Sequence, residues 1–242
     1  MIVGGLDFET SGRDPKVHSV VEAGLVLWDT ELRRPIRSEG FLVYDSEAVW
    51  EEGAAAVSGI TQERCNLYGL PTKDALGRVV EFYQQADVLC AHNGTAFDRP
   101  FYENWGERMG RAEPGDQGKV WIDTMVDIPY PKEWSVKLKY LAAEHGILHH
   151  RAHGALADAT VMLEILDHWL LEQVLESAKS PTITVRALVS YDDKDKAKAL
   201  GYHWRPIERW WVKPVKAFRL ENEEAEAVKA GFAIRQVNIE GG

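Results

Sequence analysis

The sequence predicts a mixed α/β fold in which a β-sheet is flanked by helices, followed by a small α+β module at the C-terminal end. Three observations lead there. Strand-like segments crowd the first 44 residues, helix and strand patterns then alternate, and a proline-bearing junction separates off the last sixty residues.

Ile2 to Phe8 reads as a first strand, Val17 to Trp28 as a second and Pro35 to Tyr44 as a third, with Asp29 to Arg34 as a hairpin connection. A helix is expected from Thr72 to Gln85. Pro71 stands at its start, and Ala75, Leu76, Val79, Val80 and Tyr83 recur at helical spacing. Val88 to Ala91 is short and wholly apolar, as a buried strand would be; Phe97 to Met109 reads as a helix and Val120 to Asp123 as another strand. Val136 to His145, and one long run from His153 to Leu175, complete the helices of this domain.

Ser177 to Thr182 is the linker candidate, because the long helical pattern runs out before Pro181. This divides the chain into residues 1–179 and an accessory module at 180–242. Ile183 to Tyr191 and Trp210 to Pro214 are strand-like there, Lys194 to Leu200 and Glu221 to Ala230 helix-like, giving an expected β-α-β-α unit. Between Gly201 and Lys213, aromatic and basic residues alternate in a way that suits base stacking with phosphate contact. A small module also needs a core, and the expectation is that at least two of Trp204, Trp210 and Trp211 provide it.

With 45% hydrophobic and 27% charged residues, the chain has the composition of a folded domain rather than a disordered one. No apolar run approaches the ~20 residues of a membrane span, and the start at Met1-Ile-Val-Gly-Gly-Leu-Asp7 lacks the basic opening of a secretory leader. Two cysteines, Cys65 and Cys90, have no metal-type spacing, so a cytoplasmic protein without disulfides is expected. The charge of −10 is unevenly spread. Up to Ser180 there are 17 Lys and Arg against 29 Asp and Glu, a net of −12; the remainder has 11 against 9, a net of +2. A broad basic face for duplex DNA is thereby excluded, whereas clustered acids suit divalent cations and a short strand end.

Three motifs carry chemistry. In Leu6-Asp7-Phe8-Glu9-Thr10, strand alternation puts Asp7 and Glu9 on one face, where two carboxylates repel unless a cation lies between them. In Ala91-His-Asn-Gly-Thr-Ala-Phe97-Asp98, a strand ends and Asp98 opens a helix, a position that helix electrostatics alone would favour. In His153-Gly-Ala-Leu-Ala-Asp158, His153 stands at a helix entrance and Asp158 one turn further along an apolar face. Gly154, Ala155, Ala157 and Ala159 let that helix lie close to the sheet carrying Asp7. An aspartate there needs a partner such as a metal. Taken singly, each motif has an ordinary explanation: a solvated strand face, a helix-start acid, a surface histidine among His149, His150 and His153.

In this order and over about Val3 to Leu166, the motifs resemble those of the DEDDh family of 3′→5′ exonucleases, which have an RNase H-like fold. The resemblance implies that Asp7, Glu9, Asp98 and Asp158 ligate two Mg²⁺ or Mn²⁺ ions, Asp7 bridging them, and that His153 is the general base. It implies hydrolysis of single-stranded DNA or RNA 3′ ends to nucleoside 5′-monophosphates, with Phe8, Ile60 and Phe97 packing against the terminal bases and Thr10 and Asn93 positioning polar groups. The sequence departs from the family at Ser58-Gly59-Ile60-Thr61, where histidine is usual in place of Ser58, and by one extra residue between Asn93 and Phe97. DNA is favoured over RNA because of the added module. A same-family ribonuclease and an inactive nucleic-acid- or partner-binding module are the competing readings. Since His149 and His150 lie outside the motif, they are expected to be dispensable.

Overall fold

The computed structural model describes residues 1–111, 118–150 and 152–238. The chain divides into two compact units, Met1–Leu175 and Glu176–Gly242. Among the described residues no helix is long and apolar enough to cross a membrane.

The first unit is built on β1 (Ile2–Thr10), β2 (Val20–Asp29) and β3 (Arg34–Tyr44), an antiparallel meander. Two short helices, α1 (Ala54–Ser58) and α2 (Gln62–Tyr68), lead to the two-residue edge strand β4 (Leu70–Pro71). Then come α3 (Thr72–Gln85), β5 (Val88–Ala91), α4 (Asp98–Arg108), β6 (Trp121–Asp123), α5 (Leu138–Glu144) and α6 (Ala155–Leu166). The sheet order is β4-β3-β2-β1-β5-β6, with β5 parallel to β1 and β6 parallel to β5. It is thus the mixed sheet flanked by helices that the sequence predicts.

Alternation along β1 separates two functions. Leu6 and Phe8 point into a core shared with Leu76, Val79 and Phe82 of α3 and with Phe101, Tyr102 and Trp105 of α4. Gly5, Asp7 and Glu9 point the other way, toward α6. A Cβ built on Gly5 would stand 2.5 Å from Leu163, and one on Gly24 would stand 2.1 Å from the backbone carbonyl carbon of Ala155. Gly24 is paired with Asp7 across the β1–β2 register. The missing side chain therefore lets the first turn of α6 rest on the sheet beside Asp7.

The long helix expected from His153 to Leu175 is two helices. α6 ends at Leu166, and α7 (Leu171–Lys179) starts after a break at Asp167–Leu170. Arg33 fixes that break, its Nε donating to Asp167 Oδ2 at 2.8 Å and its guanidinium also reaching the Asp167 carbonyl. Trp169 turns aside to donate its indole N–H to His145 Nε2 at 3.0 Å. A run of apolar residues at helical spacing cannot reveal such side-chain anchors. α7 continues through Lys179 with Ser177 fully buried, so the candidate linker contracts to Ser180–Pro181.

The second unit has an antiparallel sheet of order β10-β7-β9-β8, with β7 (Thr182–Leu188), β8 (His203–Arg205), β9 (Trp210–Lys216) and β10 (Ala233–Val237). Helices α8 (Lys194–Ala199) and α9 (Leu220–Ala230) complete it. β8 and β10 correct the expected β-α-β-α order; three residues and a polar-interrupted five are too short to show a period. Its core is Val185, Ala187, Ala197, Tyr202, Val215, Ala227 and Phe232. Trp211 packs against this core, but Trp204 is 44% exposed and Trp210 is half-buried outside it, contrary to the expectation for the tryptophans. Trp211 and Val215 share the core face of β9, which leaves Trp210 on the opposite face.

Replacing Gly24 by alanine forces α6 off the sheet. The substitution is expected to destabilise the first unit by ~3 kcal/mol, at the upper end of overpacking effects, as read by urea denaturation. A variant as stable as wild type would show that α6 does not depend on this contact.

Candidate active site

The carboxylates converge where β1, β2, α4 and α6 meet. Asp7 is half-buried, and its carboxyl is held well above the ordinary range by removal from water first, then by the charges of Asp98, Asp158, Glu9 and Glu22. Glu9 is pushed up to about 8 by burial and by Asp158, Glu22 and Asp98. Asp98 opens α4, is buried, and is also pushed up to about 8, chiefly by burial. The backbone N–H of Phe8 donates to Asp98 Oδ1 at 2.9 Å, tying the start of α4 to β1 between the two motif acids.

Asp158 is held from two sides. Its Oδ2 accepts the backbone N–H of His153 at 3.1 Å, and its Oδ1 lies 2.5 Å from Nε2 of His149. A carboxylate oxygen can only accept, so Nε2 of His149 carries the proton. His153 is exposed and adopts φ +67, a left-handed conformation that folds the loop back onto Asp158. A ring nitrogen of His153 and carboxylate oxygens of Glu9 and Asp158 all lie within 4.8 Å of one another. Asp7, Glu9, Asp98, Asp158 and His153 are thus brought into one neighbourhood.

The remaining sequence candidates divide. Phe97 and Thr10 line a cleft of about 410 Å³ beside Glu9, with Gly12, Arg13 and Glu51. Phe97 rests on Phe101 at 5.0 Å between ring centroids, and Thr10 Oγ1 donates to the Gly12 carbonyl at 2.6 Å. Asn93 is exposed, has φ +63, and donates its backbone N–H to Asp123 Oδ1 at 2.9 Å. Phe8 does not join the cleft. It is 3% exposed and packs edge-on against Trp105 at 6.2 Å, because the strand that points Asp7 and Glu9 outward turns Phe8 into the core. Ile60 is likewise buried, against Val21 and Cys65. Neither ring nor branched side chain is free to meet a base.

Several participants escape the motifs. Glu22 stands opposite Glu9 in the register and accepts the Ala155 backbone N–H at 3.0 Å, satisfying an orphan donor at the start of α6. Its signal was present: a lone acid in the apolar run Val20 to Trp28. Asp123 saturates both oxygens, accepting the Asn93 and Thr95 N–H groups and the Thr95 hydroxyl from the loop before α4 and the Met125 N–H from its own turn. Lys137 and Lys139 border a second cleft, of about 320 Å³, that contains His149, His153 and Asp158. His149 had no sequence signal separating it from His150; only the loop geometry brings it to Asp158, nine residues on.

The raised carboxyls fix a pH dependence. Without a cation, the folded protein keeps protons on Glu9 and Asp98 that the unfolded chain releases above the ordinary values of 4.5 and 3.8. That stabilisation is fully present below about pH 4 and is lost as pH rises through about 8. In EDTA the melting temperature should therefore fall from pH 5 to pH 8.5, and Asp7→Asn should raise it at the alkaline end. A metal-free Asp7→Asn protein that melts far below wild type would mark Asp7 as a structural residue instead. His149→Ala, expected from its position to be silent, should instead cost about 10–100-fold in hydrolysis through loss of the Asp158 contact. Unchanged turnover would show that the backbone N–H of His153 suffices to place Asp158.

Comparison with known proteins supplies the family. Residues 5–166 match the RNase_T family model, described as Exonuclease, and residues 183–237 match a domain of unknown function, DUF8626. No curated protein matches the chain. Among solved structures, E. coli Exonuclease I in complex with a dT13 oligonucleotide has a TM-score of 0.61 at 17% identity, covering 92% of this chain and 53% of that one. A zinc-bound Exonuclease I–ssDNA complex from E. coli gives 0.62 at 17% identity, with the same coverage. The nuclease domain of 3′hExo, a DEDDh family member bound to rAMP, gives 0.58 at 18% identity, covering 71% of this chain and 92% of that one. The chain thus spans about half the length of the Exonuclease I chains it is similar to. At these identities the structures show a shared fold, and the family model, which covers most of the first unit including all three acidic motifs, shows that this chain belongs to the exonuclease family.

Proposed function

We propose that the chain is a metal-dependent 3′→5′ exonuclease that hydrolyses single-stranded nucleic acid, DNA in preference to RNA, to nucleoside 5′-monophosphates. The observation that carries this reading is the gathering of Asp7, Glu9, Asp98 and Asp158 next to the exposed ring of His153. Among the described residues no lysine or arginine forms an ion pair with Asp7, Glu9 or Asp98, whose carboxyls are all raised, which fits a site for divalent ions. Asp7, Glu9, Asp98 and Asp158 would hold two Mg²⁺ or Mn²⁺ ions, which when bound acidify water and stabilise charge on a phosphodiester. The preponderance of carboxylate oxygen favours these ions over zinc, although a neighbouring imidazole also suits zinc.

The chain's own groups account for the rest. His153, exposed beside Glu9 and Asp158, accepts the proton of the attacking water on a ring nitrogen. Water attacks the terminal phosphorus, the bond from phosphorus to the 3′ oxygen of the preceding nucleotide breaks, and the terminal nucleotide leaves as a 5′-monophosphate. Phe97 and Thr10 border the place beside Glu9 where that nucleotide would lie. His149 and the His153 backbone keep Asp158 oriented throughout. DNA is favoured because the Exonuclease I–dT13 likeness extends over 92% of the chain, beyond the family domain; the rAMP-bound 3′hExo, over 71%, supports the ribonuclease alternative. In this reading residues 1–179 are the catalytic domain and 180–242 an accessory module.

A time course on 5′-labelled DNA and RNA strands of equal sequence, with Mg²⁺, Mn²⁺, Zn²⁺ or EDTA, tests polarity, sugar choice and metal need together. Shortening from the 3′ end, abolished by EDTA, is expected. His153→Ala should reduce turnover by ~10²–10⁴-fold, while His150→Ala changes little. Full activity in EDTA, shortening from the 5′ end, or a His153→Ala enzyme with near wild-type turnover at neutral pH would each overturn the corresponding part of the reading.

A further inference from the structure

At one end of the second unit's sheet, Arg186, Tyr191, Trp204, Arg209, Trp210 and Trp211 surround a cleft of about 160 Å³. This is smaller than the ~300 Å³ at which pockets begin to enclose a drug-sized molecule, and suits a fragment of a longer chain laid across it. The aromatic groups are not occupied by core packing alone. Trp204 is 44% exposed and Tyr191 79% exposed, while Trp204 leans on Trp211 at 5.5 Å between ring centroids. The Arg186 guanidinium lies 4.5 Å over the ring of Trp210.

The charge at the cleft is unspent. Among the described residues no carboxylate pairs with Arg186 or Arg209, and the buried Nε of Arg186 has no hydrogen-bond partner. Of the acids next to it in sequence, Glu208 pairs with Arg205 at 3.2 Å and Asp193 with Lys196 at 2.6 Å, and Asp192 is exposed to solvent and does not line the cleft. Arg209 also holds φ +56 in the turn between β8 and β9, a conformation that glycine or asparagine would adopt with less strain. A strained residue kept at the mouth of a cleft, where its side chain lines the wall, points to work done by that side chain. Two guanidinium groups repel a cationic guest, and a purely apolar one would leave them unanswered. A guest with a flat π face and an adjoining anion answers both.

We propose that this cleft binds a nucleotide of a single strand, the base stacking on the exposed aromatic rings and the phosphate meeting Arg186 and Arg209. The choice of a nucleic-acid strand among anionic aromatics rests on the exonuclease reading of the first unit; the cleft itself does not. Stacking on rings with phosphate contact gives affinity with little sequence preference, as a strand-trimming enzyme requires.

The test is fluorescence anisotropy of labelled dT15 and rU15 with the full chain in EDTA, where hydrolysis does not intervene. Arg209→Gly and Trp204→Ala should each raise Kd about 5–10-fold, and Trp204→Phe should stay within about twofold, because a ring is kept. Arg209→Gly should also flatten the dependence of log K on log salt by about 0.7, the share of one phosphate contact on a single strand. It should melt at or above the wild-type temperature, since glycine accepts the positive φ, so weaker binding cannot be ascribed to unfolding. Unchanged Kd in both Arg209→Gly and Trp204→Ala would overturn the proposal, as would equal competition by an oligoglutamate of the same charge. A wild-type chain that binds through the cleft but never hydrolyses in Mg²⁺ sinks the catalytic reading alone; one that hydrolyses while both variants bind normally sinks only this proposal.

Discussion

Mutual repulsion among carboxylates at the end of β1 is the constraint on which the first unit depends. Asp7 feels Asp98, Asp158, Glu9 and Glu22 at once from a half-buried position. A fold that merely sought stability would not assemble them, because each buried like charge makes the next harder to ionise. The apolar packing on the opposite face, where Leu6 and Phe8 meet α3 and α4, offsets that cost. β1 therefore serves two ends through its pleat: one face stabilises the unit and the other concentrates negative charge.

Backbone contacts rather than long side chains hold the acids in place. The Phe8 N–H fixes Asp98, the Ala155 N–H fixes Glu22, and the His153 N–H fixes Asp158. Phe8 and Ala155 belong to a strand and a helix start whose positions are set by packing, and His153 to the turn before α6, with the His149 side chain as a second hold on Asp158. Gly24 makes this possible for α6, whose first turn could not otherwise touch β2. Asp123 performs the equivalent task for the loop before α4. That is the physical reason an acid so near the motif acids in space is consumed by hydrogen bonds instead of being left free.

How much was legible in advance follows from the range of each interaction. That Asp7, Glu9, Asp98, Asp158 and His153 would meet in one neighbourhood could be read because strand alternation, a helix start and one helical turn are local and periodic. The same alternation, carried one step further, would have removed Phe8 from the list of base contacts, since neighbours on a strand face opposite ways. Ile60 could not be judged, because its burial against Val21 depends on how α2 approaches the sheet. His149 and the break at Asp167 were illegible for a related reason. Each depends on a single contact across a loop or between distant elements, and such contacts leave no trace in spacing. In the second unit, aromatic content alone could not say which tryptophan serves the core; the register of β9 decides it.

The borders of the first sheet have a consequence for how copies of the chain behave toward each other. On one side it ends in β4, two residues long with Pro71 as one of them, and on the other in the three-residue β6. A proline has no N–H to offer, and so short a ladder gives an incoming strand little to pair with. β1 and β2 are enclosed on both sides, but β4 pairs only with Val43 and Tyr44 of the eleven-residue β3, so the stretch 34–42 has no strand partner on its outer side among the described residues. Strand order thus guards two borders against edge-to-edge association, while the open side of β3 is left to Pro35 and the charges of Arg34, Arg37 and Glu39 to keep another copy's strand away.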